Sequence, residues 1–157
     1  MVPELPEVET VRRGIERRAV GRVVERVEVF RERTVRRQGR EAIIDGLSGA
    51  RITAARRRGK YLLCDLDTGG VLMMHLRMSG RVLVVAQGTP RPPHTHVVMH
   101  LSPDDHGARH EMWFVDPRTF GEVVVFDSAD EPRVAPELAK LGPDPIVDGL
   151  DEAKLAE

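Results

Sequence analysis

Apolar positions near the start of the chain recur at helical spacing. Val8, Val11 and Ile15 stand three and four residues apart, with Arg12, Arg13, Glu16 and Arg17 on other faces. This predicts a helix over residues 6–20. Pro6 suits its first position, Glu7 and Glu9 suit the positive end of its dipole, and Gly21 can stop it. Over residues 22–30 the valines take a strand-like pattern. Residues 31–40 carry five arginines and a single apolar residue, Val35, and read as a loop. Residues 41–47 can form one or two helical turns.

The period then changes. Short β-prone runs occupy residues 51–57, 61–66, 71–76, 81–85, 96–101, 111–115 and 122–126, each bounded by turn residues. Thr68-Gly69-Gly70 reads as a hairpin turn and residues 102–107 as a looser one. With the earlier strand, about eight short strands predict a mainly β fold: an antiparallel sandwich or barrel flanked by the N-terminal helix. Residues 127–157 are acidic and Pro-rich, with room for one or two short helices. The expected organisation is a β-sandwich domain over residues 1–130 and an acidic linker over 131–157.

Composition narrows the classes. At 157 residues the chain suits one domain with a proper core. Hydrophobic residues make up 41% and charged residues 31%, which excludes a wholly disordered chain. No apolar run approaches the roughly 20 residues of a membrane helix, and the start lacks the apolar core of a secretory signal. The lone Cys64 excludes an internal disulfide and a thiolate zinc cluster within this chain, and suits a reducing cytoplasm. The formal net charge of -1 hides an asymmetry. Residues 1–60 hold 16 Lys and Arg against 9 Asp and Glu, whereas residues 127–157 hold 3 against 9. A basic front and acidic rear fit either a polyanion facing one side or a set of solvated arginine faces.

The opening, PELPEVET from Pro3 to Thr10, is the most informative stretch. RRRGKYLL follows around Lys60, then HLRMSG from His75, HTHV from His94, DPRTFG from Asp116 and LGPDP from Leu141. In this order and spacing the strings cover essentially the whole chain. They strongly resemble the bacterial formamidopyrimidine-DNA glycosylases, within the wider family that includes endonuclease VIII; the PELPEVE string favours the former branch.

The resemblance implies a bifunctional base-excision repair enzyme, both DNA glycosylase and abasic-site lyase, acting on 8-oxoguanine and formamidopyrimidines in damaged double-stranded DNA. It implies Pro3 as the nucleophile that forms a Schiff base at the sugar C1′, and Glu4 as the acid that protonates the sugar. Lys60 is implied in proton transfer during β-elimination, and Glu7 in holding the site. An amine nucleophile must be unprotonated. An α-amino group, of pKa about 8, is reactive at neutral pH in a fraction hundreds of times larger than a lysine of about 10.4. A terminal proline is a secondary amine whose iminium acts as an electron sink.

One departure bears on that chemistry. Family members begin Met-Pro, and here Val2 intervenes. With Val2 attached, the Pro3 nitrogen is a tertiary amide, and the extra residue adds roughly 3.5 Å of chain. Two readings follow: an enzyme whose true terminus is Pro3, or a non-catalytic relative that binds damaged or abasic DNA.

An enzyme that flips a base must fill the hole it leaves. The resemblance implies Met78 as a wedge, completed by Phe120, with Arg118 offering donors to the orphaned cytosine. It implies His94 and His75 as phosphate contacts. Arg77 stands where the family commonly has glycine, and Thr119 where it often has a second arginine. His94, His96 and His100 share one strand parity, but no cysteine or carboxylate pattern accompanies them, so no metal site is expected. His96 is open between phosphate contact and satisfied strand residue. The arginines Arg56, Arg57 and Arg58 are open between backbone contact and solvated strand end. After LGPDP the family continues into a helix–two-turn–helix segment and a four-cysteine zinc finger. Zinc is expected there and no cofactor here, and the enzyme is expected to be a monomer, cytoplasmic and nucleoid-associated.

Overall fold

Val8 and Ile15 are fully buried along one stripe of helix α1 (Leu5–Arg18), which packs on the β-strands, and Ala19 is buried just past its end. The structure is a computed structural model and describes residues 5–140. Strand β1 (Val24–Val29) follows, then a 3₁₀ turn (Glu32–Val35) and helix α2 (Arg40–Leu47). The arginine-rich stretch expected to be loop is therefore partly helical. Its one apolar residue explains this: Val35 is fully buried and anchors the turn against the core.

Seven strands complete the fold: β2 (Ile52–Arg58), β3 (Tyr61–Leu66), β4 (Gly70–His75), β5 (Arg81–Ala86), β6 (Thr95–Leu101), β7 (His110–Val115) and β8 (Glu122–Asp127). They form two four-stranded antiparallel sheets, ordered β1-β6-β7-β5 and β2-β3-β4-β8. The expected sandwich is thus the architecture observed. Its core lies between the sheets, where Met99, Met112 and Phe114 of one meet Leu62, Leu72, Met74 and Val123 of the other. Helix α2 closes one side. Gly46 allows its approach to β8, because a Cβ there would stand 2.8 Å from Val125 Cγ1.

Strands β4 and β8 read as unbroken apolar runs because both of their faces are covered. The outer face carries Leu63, Val71, Met73, Val124 and Phe126, and the cover is Ala135 and Leu138. Ala135 follows a short helix α3 (Glu131–Val134), and Leu138 sits in the 3₁₀ turn after it (Pro136–Lys140). The segment expected to begin a linker at residue 131 therefore has its own packing as far as Leu138. Arg37 pins it down: its guanidinium donates to Val134 O at 2.8 Å and to Glu137 and Glu122, each at 2.8 Å.

Strand register decides which loops meet. His75 pairs with Glu122, Tyr61 with His75, and both Arg81 and Thr95 with Val115. The loops 59–60, 76–80, 116–121 and the lead-in to β6 therefore gather at one end of the sandwich. His100 lies further along its strand, and His110 pairs with Ala86 at the opposite end.

Candidate nucleic-acid interface

Three of the predicted motifs meet at that shared end, and the buried carboxylate of Asp116 holds them together. Asp116 is 0% exposed. Its Oδ1 accepts from the Ser79 hydroxyl at 2.5 Å and the Arg118 N–H at 3.2 Å, and its Oδ2 accepts from the Gly121 N–H at 2.7 Å. The Asp116 N–H donates to His94 O at 3.0 Å, and His96 Nε2 bonds the Asp116 carbonyl at 2.7 Å. One residue thus stitches the 76–80 loop, the 116–121 loop and the start of β6 into one surface. An Asp-Pro step that accepts the N–H two residues on is an Asx-type turn. That signal stood in DPRTFG, although Asp116 and Ser79 were not among the expected site residues.

Two apolar side chains project from this braced surface. Met78 is 43% exposed and Phe120 is 39% exposed. With Arg33, Arg36 and Arg77 they line a cleft of about 390 Å³. Arg33 Nε donates to Thr119 O at 3.2 Å, and Arg36 donates to Phe120 O at 3.1 Å and Gly121 O at 3.2 Å. Two arginines of the 30s segment therefore clasp three successive carbonyls beneath Phe120. Gly121 permits the tight return: a Cβ there would meet His75 O at 2.6 Å and the Phe114 ring at 2.7 Å.

Backbone strain concentrates here. Among the described residues, the non-glycine residues with positive φ are Arg77 (+53°), His94 (+68°) and Thr119 (+58°), one in each of the three segments. Side chains in this region are strained, and such residues persist where the surroundings over-determine them. His94 stands exposed at the loop end, Arg118 is exposed, and His75 is only partly buried.

The expected parity of His94, His96 and His100 does not survive. A register shift between Thr95 and Val97 interrupts the alternation at His96. His96 is buried and bonded to Asp116, which makes it a satisfied structural residue. His100 instead bonds Glu28 at 2.7 Å.

His75 stacks on Tyr61 with ring centroids 4.0 Å apart. Burial, then the neighbouring charge of Arg77, lowers its pKa to about 4. At neutral pH its ring is uncharged and offers one donor and one acceptor.

Lys60 lies half-buried in the two-residue turn Gly59-Lys60 between β2 and β3. The turn is tied to helix α1 through Arg57, which donates to Gly59 O at 3.2 Å and to Glu9 Oε1 at 3.1 Å. Glu9 also accepts from Arg12 at 2.8 Å and Arg13 at 3.0 Å. Burial alone would raise the Glu9 pKa, but hydrogen bonds from Arg12 and Arg57 overcome it and hold the value at about 2. Arg57 is thus neither solvated nor exposed, while Arg56 pairs with Asp65 at 2.7 Å. Glu7 is exposed on the first turn of α1. Pro3 and Glu4 lie outside the described residues.

A sandwich braced to present two apolar tips among arginines is suited to entering a polyanionic stack of bases. Comparison with known proteins agrees in class. Residues 2–123 match the family model described as formamidopyrimidine-DNA glycosylase N-terminal domain, and the chain belongs to that family. It is 44% identical over 153 residues to the formamidopyrimidine-DNA glycosylase of a Nocardioides species, covering 96% of this chain and 50% of that protein. It is 42% identical to the Symbiobacterium thermophilum protein of the same name, covering 99% of this chain and 49% of the other. Among solved structures it resembles Lactococcus lactis Fpg complexed with Fapy-dG-containing DNA, with TM-score 0.77 and 34% identity, over 90% of this chain and 51% of that one. A complex of the same protein with abasic-site DNA also gives a TM-score of 0.77 and 34% identity, over 90% and 50% of the two chains. The chain spans about half the length of these relatives.

Proposed function

We propose that this chain carries the lesion-facing and catalytic half of a DNA glycosylase with abasic-site lyase activity, working in base-excision repair. The observation that carries the reading is the Asp116-braced end bearing Met78 and Phe120, in a chain whose relatives bear the glycosylase name. The substrates proposed are 8-oxoguanine and formamidopyrimidines in duplex DNA, the latter in keeping with the Fapy-dG complex of the Lactococcus lactis relative. The setting proposed is the bacterial cytoplasm, with the enzyme acting as a monomer at the nucleoid. Among the described residues no helix is long and apolar enough to cross a membrane.

In this reading Met78 and Phe120 fill the space vacated by a flipped nucleotide, and Arg118 offers its donors to the unpaired partner base. His75, uncharged, and His94 contact phosphates. The nitrogen lone pair of Pro3 attacks C1′ and the glycosidic electron pair leaves with the base. Glu4 supplies a proton to the sugar ring oxygen, the C1′–O4′ bond breaks with its electron pair on that oxygen, and the Pro3 nitrogen, having lost its own proton, closes the iminium with its lone pair. The iminium then draws electrons from the C2′–H bond as that proton leaves, and the 3′ phosphate departs by β-elimination. Lys60 assists proton transfer, and Glu7 supports the helix start. The scheme requires Pro3 to carry a free secondary amine, so Val2 must be absent from the active protein. Zinc belongs outside these residues. Cys64 is fully buried and burial raises its thiol pKa to about 12, a poor fit for a thiolate ligand.

Val2 favours a second reading, a module that binds damaged DNA without turnover. Borohydride trapping on abasic-site DNA separates the two. The lyase reading expects a covalent adduct with protein starting at Pro3, lost in Pro3→Gly. Binding without adduct by that same protein supports the module.

A further inference from the structure

Arg77 holds a left-handed backbone at φ +53°, where a glycine would be unstrained, yet it displays a long cationic side chain that is 43% exposed. Among the described residues no hydrogen bond occupies its guanidinium. It stands 3.9 Å from Glu122 Oε1, and that carboxylate is already held by Arg37 at 2.8 Å. Arg33 and Arg36, beside it in the cleft, direct donors at the carbonyls beneath Phe120. The cleft therefore has three cations, two engaged with the loop and one, Arg77, part-exposed with a loose 3.9 Å approach to Glu122. Met78, the exposed tip, is the next residue in the chain.

We propose that Arg77 is an anchor for a DNA phosphodiester immediately beside the wedge. This rests on the DNA-facing reading above and extends it to a residue that reading leaves without a role. A duplex that admits Met78 between its bases must carry a backbone phosphate close to that point, because every nucleotide step carries one. A planar guanidinium fits such a group through two parallel donors, and the flanking arginines add to the local positive field. The contact is to the backbone, so it strengthens grip and fixes the depth of the wedge without reading sequence.

The test is the salt dependence of binding, followed by fluorescence anisotropy with a short duplex containing an abasic analogue. Arg77→Gln removes the charge and keeps a side chain. Arg77→Gly removes the charge and relieves the backbone. Both are expected to weaken binding and to lower the slope of log K against log salt by about 1. Arg77→Gly is also expected to raise the melting temperature, whereas Arg77→Gln is not. Arg109→Gln, an exposed arginine paired with Glu25 at 2.6 Å away from this cleft, controls for net charge and is expected to keep the wild-type slope. A wild-type slope in Arg77→Gln overturns the anchor while leaving the DNA reading intact. So does an equal loss of slope in Arg109→Gln. A wild-type chain with no salt-dependent binding overturns both.

Discussion

At the scale of single residues, buried charge does more at this site than exposed charge. Asp116 satisfies donors from two loops at once, so a change of one atom is informative. Asp116→Asn places an amide N–H₂ against the Ser79 hydroxyl or the Gly121 N–H. It is expected to cost about 1–3 kcal/mol, read from urea unfolding, and to weaken DNA binding as the loops loosen. A variant indistinguishable from wild type in both assays would deny Asp116 its bracing role. Glu9 and Arg57 form the second buried pair. Glu9→Gln removes the carboxylate that Arg12, Arg13 and Arg57 share and is expected to destabilise the fold by about 1–3 kcal/mol, read from urea unfolding. Neither role was legible in the sequence. Glu9 lies one position off the apolar stripe of Val8 and Ile15 and reads as a solvated helix charge. Asp116 sits inside a motif whose Arg118 and Phe120 drew attention first. Both effects depend on a partner brought from 37 or more residues away, as Ser79 is to Asp116 and Arg57 to Glu9.

At the scale of elements, most strands were readable because their period-two pattern and turn residues agree. Strand β3 was expected over the residues it occupies, and the other bounds differ by a residue or two. The exceptions share a cause. The 3₁₀ turn at Glu32–Val35 has one buried apolar anchor, Val35, beside the buried Thr34, and too little sequence for a period. The turns at Glu131–Val134 and Pro136–Lys140 look like linker because their packing partners are the outer faces of β4 and β8. An acidic, Pro-bearing segment can still cover a sheet if two apolar side chains, here Ala135 and Leu138, are correctly spaced. Leu138→Ala is accordingly expected to cost about 2–5 kcal/mol, a core-sized penalty for a segment with a linker's composition. Chemical denaturation would measure it, and a cost below 0.5 kcal/mol would mean the cover is dispensable. The clasp of Arg33 and Arg36 on residues 119–121 is also an element-scale device. It explains why a stretch of arginines lies beside the exposed Met78 and Phe120 and is not simply a solvated face.

At the scale of the whole molecule, the sandwich has one charged, strained end and one ordinary end, and its response to pH follows from groups near the first. The His75 pKa is about 4 when folded, below the ordinary 6.5, so protonation favours the unfolded chain. Its share of stability is fully present above pH 6.5 and is lost as pH falls toward 4. Glu9 is held at about 2, below its ordinary 4.5, so its share is present above pH 4.5 and is lost on the way to 2. Melting temperature against pH should therefore decline in two stages, and His75→Gln should flatten the upper one. A single decline beginning near pH 4.5 in both proteins would contradict the assignment to His75. The asymmetric charge seen along the chain acquires a spatial meaning in Arg37, which carries the basic front onto Glu137 of the acidic rear. The three left-handed residues, each costing about 1–3 kcal/mol, have a mechanical consequence. Their loops are already committed to shape, so under the proposed DNA-binding role the duplex is the partner that yields. Preference among DNA molecules would then track how easily each one bends and unstacks, with nicked, gapped or abasic duplexes favoured over intact ones of the same sequence.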